Sequence, residues 1–210
     1  GVRGSLPSPG NDTAIVGGNT ACVEVTGGGA RIILDAGSGI RALGDELVAK
    51  GEHERVTILL SHVHWDHVMG LPFFAPLYMS GASIVLTSGP VGSMSLRDAL
   101  RAQMVRPLFP VPFEVVSSRV KTVELPEHSH FHVGPLEVTT ALLNHPDPVV
   151  AYRIDYRGRS VVYATDTEHE EGKVDAKLVM LARGADVLIY DAQYTPEEYP
   201  SKRGWGHSTN

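Results

Sequence analysis

Ser61-His62-Val63-His64-Trp65-Asp66-His67 follows directly on the apolar run Val56-Thr57-Ile58-Leu59-Leu60. A short, continuous apolar run is the pattern of a strand buried on both faces, at the centre of a sheet. This one delivers the chain into four nitrogen and oxygen donors: His62, His64, Asp66 and His67. Neutral imidazoles and a carboxylate are ligands that zinc accepts and that manganese or iron tolerate. Four donors in so short a stretch exceed what one catalytic ion takes while keeping a position for water, so two ions are the natural reading. A polar loop rich in histidine by chance would instead leave several imidazoles clustered at a strand end without partners.

Further donors stand at other strand or loop ends. His145 closes Leu143-Asn144-His145-Pro146, Asp166 lies in Ala164-Thr165-Asp166-Thr167, and His207 lies in Gly204-Trp205-Gly206-His207-Ser208-Thr209. Each alone reads equally well as a cap or turn residue. Beside the histidine cluster, the three read as parts of one site.

Working outward, periodicity predicts strands at 21–26 and 31–35 around Gly27-Gly28-Gly29. A helix is expected over 40–50, with Ile40, Leu43, Leu47 and Val48 on one face and Gly51 closing it. Next come a strand at 84–87, a helix at 95–105 ended by Pro107, and a strand at 136–143. A hairpin over 150–156 and 160–164, a helix at 174–183 stopped by Gly184, and a strand at 187–190 complete the order. Hairpins dominate over strict strand-helix-strand alternation. The expected class is therefore α+β, with sheets covered by helices on their outer faces and not a doubly wound parallel sheet.

The 210 residues suffice for one domain, read as 1–210. No apolar run approaches the roughly eighteen residues of a membrane span, and Gly1-Val2-Arg3-Gly4-Ser5 lacks the apolar core of a signal peptide. The single cysteine, Cys22, excludes an internal disulfide and fits a reducing cytoplasm; its alternating neighbours suggest plain core packing. A formal charge of −6 gives no global positive field for nucleic acid. Arg97, Arg101 and Arg106 could form a local basic face, although a solvated helix surface is the simpler reading. Of the ten histidines, His128, His130 and His132 alternate as on a solvated strand face, with an accessory metal site as the alternative. His53 reads as surface, and His169 stands close enough to Asp166 to reach a substrate. Trp65 reads as shaping its loop in preference to stacking a base, and 71–79, with Phe73, Phe74 and Tyr78, as core.

Together the His-x-His-x-Asp-His element, His145, Asp166 and Gly206-His207-Ser208-Thr209 resemble the metallo-β-lactamase superfamily. Within it they are most similar to the RNase Z-like phosphodiesterase branch. Val2-Arg3-Gly4-Ser5-Leu6-Pro7, Gly17-Gly18-Asn19-Thr20, Leu34-Asp35-Ala36-Gly37 and Asp191-Ala192-Gln193-Tyr194 match that branch too. The resemblance implies a four-layer αβ/βα sandwich. It also implies that His62, His64 and His145 hold one metal, that Asp66 and His67 hold a second, and that Asp166 bridges them. Asp35 would support the loop as a carboxylate behind the ligands, and His207 would serve near the leaving group. The family's last metal histidine comes later than the Gly-His-Ser-Thr stretch, so truncation is expected at the end and, by a shortened first strand, at the start.

The function expected is a dinuclear metal-dependent hydrolase, a phosphodiesterase acting on a small phosphodiester such as a cyclic nucleotide. A hydroxide bridging two Zn2+ ions, or Mn2+, would attack phosphorus, with Asp66 and His207 as catalytic residues handling protons. One alternative is a tRNA 3′-processing endonuclease (RNase Z) with an RNA substrate. That enzyme type inserts an arm between its later histidine and bridging aspartate, and here His145 and Asp166 are only 21 positions apart (166 − 145). Hydrolysis of a β-lactam or another carboxylic ester or amide, and a non-catalytic metal-binding scaffold, are the other readings. The family's habit suggests a homodimer.

Overall fold

The apolar run becomes β3 (Arg55–Leu59), the middle strand of a five-stranded sheet ordered β1-β2-β3-β4-β5. This computed structural model describes residues 1–170 and 173–209. The chain divides into two compact units, Gly1–Thr26 with Arg31–Glu124 and Gly27–Ala30 with Leu125–Asn210.

In the first unit, β1 (Val23–Gly27) and β2 (Ala30–Leu34) are neighbours in the sheet, followed by α1 (Ile40–Lys50), β3, α2 (Trp65–Val68), β4 (Ser83–Ser88), α3 (Leu96–Gln103) and β5 (Val120–Glu124). The pairs β2–β3, β3–β4 and β4–β5 are all parallel. The expectation that hairpins dominate is therefore corrected here. Segments containing α1, α2 and α3 return the chain to the same sheet edge, a connection that periodicity alone did not resolve into topology. The parallel register explains the apolar strands, since Ile58 and Leu59 of β3 and Ile84 and Leu86 of β4 are all buried.

Local signals place the helices. Ile40 and Leu47 of α1 are buried, and Gly51 ends it in a left-handed conformation (φ 71°). Ser95 caps α3, its Oγ accepting from Asp98 N at 3.1 Å; such a cap contributes about 1 kcal/mol. The arginines after it sit on a solvated face, with Arg101 Nε on Glu114 at 2.6 Å and Arg97 over the Phe113 ring. Cys22 packs against the core of this unit, and burial pushes its thiol up to about 12. We expect Ellman's reagent to label it at neutral pH only after unfolding; rapid labelling of the native protein would contradict this environment.

The stretch 71–79 is only half core. Leu71, Phe74 and Leu77 are buried, whereas Phe73 and Tyr78 are exposed, because two short 3-10 turns rotate alternate side chains outward.

In the second unit, β6 (His130–Val133), β7 (Leu136–Leu143), β8 (Val149–Tyr156) and β9 (Arg159–Ala164) pair antiparallel, and β10 (Val187–Tyr190) adds to β9 in parallel after α4 (Ala176–Ala182). Asp175 caps α4 by accepting from Lys177 N and Leu178 N at 2.9 and 3.0 Å. His130 and His132 lie exposed on β6, as expected of a solvated face, while His128 precedes the strand. The apolar β10 stands at the end of the sheet order, and Val187 and Leu188 are exposed. Among the described residues no helix is long and apolar enough to cross a membrane.

Candidate metal centre and acid-base site

Parallel pairing brings the C-terminal ends of β2 and β3 to one edge, so Asp35 and Ser61 meet there. Asp35 is fully buried, in a left-handed backbone conformation (φ 60°). Its carboxylate accepts from Ser61 N at 2.7 Å and from Ser61 Oγ at 2.9 Å. The same Oδ2 stands 2.7 Å from His67 Nδ1. An ionised carboxylate only accepts, so His67 carries its proton on Nδ1 and presents the Nε2 lone pair outward. Ser61 Oγ spends its single proton on Asp35, so at 3.0 Å it accepts from His62 Nδ1 and fixes the same tautomer there.

The remainder of the loop is held by backbone. Ala36 N donates to His67 O at 2.7 Å, and Gly70 N to Ala36 O at 2.9 Å. A Cβ on Gly37 would stand 2.3 Å from Asp66 O, so only glycine permits this approach. His62 and His64 rings lie 4.4 Å apart and those of His62 and His67 4.3 Å apart. Asp66 Oδ2 is 3.5 Å from His67 Nε2 and accepts from Ser5 N at 2.8 Å. All four donors of the motif thus converge within the first unit, and Asp35 stands behind them where the sequence reading put it. Trp65, expected to shape this loop, is instead 69% exposed at the first position of α2.

In the second unit, His145 follows β7, and its Nδ1 donates to Asp147 O at 2.8 Å. Asp166 is buried just past β9, also left-handed (φ 48°). Ligand atoms of Asp166, Asp191 and His207 lie within 4.8 Å of one another. His207 Nδ1 is 2.8 Å from Asp191 Oδ2, and Asp191 also accepts from Thr167 N at 3.1 Å and Gln193 N at 2.9 Å. Ser208 ties the same loops together, its Oγ donating to Thr167 O and accepting from His169 N. His169 itself stacks against Tyr199, with ring centroids 4.5 Å apart.

The Asp191 role was missed in the sequence, where the residue entered only as part of a matching stretch. A carboxylate sixteen positions before a histidine has no periodic signal. Glu168 was missed as well. Burial would raise its carboxyl, but the N–H groups of Gly204 and Gly206 and the Tyr199 hydroxyl outweigh this and hold it below its ordinary value.

Four imidazoles, His62, His67, His145 and His207, thus have Nδ1 engaged by an acceptor, which leaves Nε2 as the ligating or proton-carrying atom. Buried carboxylates accompany them in each unit. This donor set fits a divalent ion such as zinc.

A family described as "Beta-lactamase superfamily domain" matches residues 30–210. The chain belongs to the metallo-β-lactamase superfamily. Its fold agrees with solved members. Human tRNase Z, short form, superposes with a TM-score of 0.65 over 98% of this chain and 81% of that one, at 24% identity. The metallo-β-lactamase fold protein YhfI of Bacillus subtilis gives 0.65 over 90% and 70%, at 18% identity. Among curated sequences, Ribonuclease Z of Synechococcus sp. (strain WH7803) is 27% identical over 206 residues, covering 73% of this chain and 61% of that protein. Ribonuclease Z of Clostridium kluyveri is 28% identical over 204 residues, covering 94% and 60%. The chain thus spans about three fifths of the length of these two curated relatives.

Within this superfamily chain, the loop carrying His207 lies flat on His145. A Cβ on Gly206 would stand 2.2 Å from His145 Cδ2, and the residue has φ 87°. Gly206→Ala is therefore expected to destabilise the protein by about 1–3 kcal/mol through overpacking and strain, read as a lower melting temperature. An unchanged melting temperature would show that the loop yields easily.

Proposed function

We propose that this chain is a metal-dependent hydrolase, specifically a phosphodiesterase of small phosphodiesters such as cyclic nucleotides. The observation that carries the reading is the paired histidine-carboxylate chemistry: His67 on Asp35 and His207 on Asp191. Following the family motifs, His62, His64 and His145 would hold one divalent ion, and Asp66 and His67 a second, with Asp166 shared. Zinc is the ion favoured by these donors, and manganese the alternative. When bound, such ions lower the pKa of water to about 7 and take up charge on phosphoryl oxygens.

In this reading the protein's own residues contribute in three ways. Asp35, through Ser61 and His67, fixes which imidazole nitrogen ligates. Asp66, in the same reading, orients the attacking water or takes its proton. His207, held by Asp191, donates a proton to the departing oxygen.

A small substrate is favoured over a folded RNA by β8 and β9, which are joined directly through Arg157-Gly158 with no inserted arm. A cavity of about 560 Å3 in the second unit, lined by His145 with Lys173 and Lys177 and by the acidic Glu127, Glu168, Glu170 and Asp175, has a size suited to a small ligand. The ribonuclease Z relatives favour a second reading, tRNA 3′ processing, and the superfamily name keeps β-lactam hydrolysis as a third. A homodimer and a cytoplasmic location complete the proposal from resemblance; sedimentation and cell fractionation test them.

Metal analysis joined to turnover decides the main reading. We expect close to two ions per chain and hydrolysis of bis(p-nitrophenyl) phosphate that chelation abolishes and zinc or manganese restores. Cleavage of precursor tRNA without a small diester would favour the second reading, and hydrolysis of a chromogenic cephalosporin the third. A metal-loaded protein inert toward all three would leave the binding scaffold.

A further inference from the structure

We propose that Glu168 is the positioning residue of the leaving-group side of the site, a clasp that sets His145 and His207 together; the catalytic part of this inference rests on the phosphodiesterase reading. Glu168 is pinned at its backbone to the strand end that precedes His145. Its N donates to Asn144 O at 2.8 Å, and its O accepts from Asn144 Nδ2 at 2.8 Å. The carboxylate faces the other way, into the loop that leads to His207. It accepts from Gly204 N at 2.8 and 3.0 Å, from Gly206 N at 2.8 Å, and from Tyr199 OH at 2.9 Å.

Among the described residues, backbone amides and a phenol donate to this carboxylate. Lys202 and Arg203, which precede Gly204 in the loop, have their side chains over the rings of Trp205 at 4.4 Å and Tyr199 at 5.9 Å. Gly204 and Gly206 have φ of 82° and 87°, a conformation open to glycine that turns both N–H groups onto one carboxylate. The next residue is His207, and Gly206 itself abuts the His145 ring. One carboxylate therefore fixes where a loop places its catalytic imidazole and what presses on a second imidazole. Asp191 orients the His207 ring, but only after the loop has brought it there.

Glu168→Gln keeps the shape while turning an amide NH2 toward N–H donors, which loosens the clasp. If the loop positions a proton donor, the loss must depend on the leaving group. Departure of p-nitrophenolate needs little protonation, whereas a ribose oxygen needs it fully. We expect kcat of Glu168→Gln, referred to metal-loaded protein, to fall less than about threefold on bis(p-nitrophenyl) phosphate and about 30-fold or more on a cyclic nucleotide. Tyr199→Phe, which removes one donor, is expected to show the same selectivity at a smaller size. Equal losses on both substrates, or none, would overturn the positioning role.

Two readouts do not depend on turnover. Trypsin cleavage after Lys202 or Arg203 is expected to accelerate tenfold or more in Glu168→Gln, and the imidazole 15N signals of His145 and His207 should shift together while those of His128 and His132 stay. Unchanged cleavage and unchanged signals would remove the clasp. A native protein that turns over no small diester, yet shows both changes on substitution, would instead sink the small-phosphodiester reading while leaving the clasp standing.

Discussion

Asp35→Asn is expected to lower metal affinity or turnover by about 10–100-fold, the usual range when the carboxylate behind a ligating histidine is lost. Asparagine tolerates the left-handed backbone at this position (φ 60°), so the change tests chemistry more than strain. Its amide offers one acceptor where the carboxylate serves Ser61 N, Ser61 Oγ and His67 Nδ1. At least one buried donor is then left facing an NH2 group, at a cost of about 1–3 kcal/mol. His67 is no longer obliged to keep its proton on Nδ1, so its Nε2 ceases to be a dependable ligand. Asp35→Ala should be worse, since several donors lose their acceptor and a residue with a Cβ must hold φ 60° without local compensation. Isothermal titration of the apo-protein with zinc reads the first effect. Affinity and turnover both equal to those of the parent protein would show that Asp35 supports only the fold.

His207→Ala should cut kcat by about 10²–10⁴-fold on a substrate with a poor leaving group, the range of a general acid. Metal content should remain near that of the unaltered protein. The expectation follows from the pairing of His207 Nδ1 with Asp191 Oδ2 at 2.8 Å, which steadies a protonated imidazole and aims Nε2 away from the carboxylate. Asp191→Ala should follow in the same direction. The outcome is not foregone, because Asp166, Asp191 and His207 bring ligand atoms within 4.8 Å of one another. Loss of an ion on substituting His207, measured by mass spectrometry, would make it a ligand and overturn its assignment as an acid.

Trp65 shows how a local reading can be displaced by geometry. Next to two motif donors it reads as a loop-shaping side chain, yet the loop is shaped by Asp35, Ser61 and backbone contacts to 36–37, and the indole is left exposed. The same lesson holds for topology. The hairpins were visible as turns between alternating runs and dominate the second unit. The parallel order of β2 to β5 was not visible, because periodicity reports which face of an element is buried and not which strand lies beside it.

The sequence by itself determined most of the elements, with α1, β7 and β10 bounded as expected but β5 and α2 unread, and the loop of His62, His64, Asp66 and His67 at the end of a buried strand. It could do so because apolar period, caps and donor spacing are local properties, written within a few residues. Only the tertiary structure decided the partners: Asp191 beneath His207, and Glu168 gripping Gly204 and Gly206 from thirty-six and thirty-eight positions away. Those pairs form where turns carry distant segments together, and buried polar groups must find acceptors there whatever their separation in sequence.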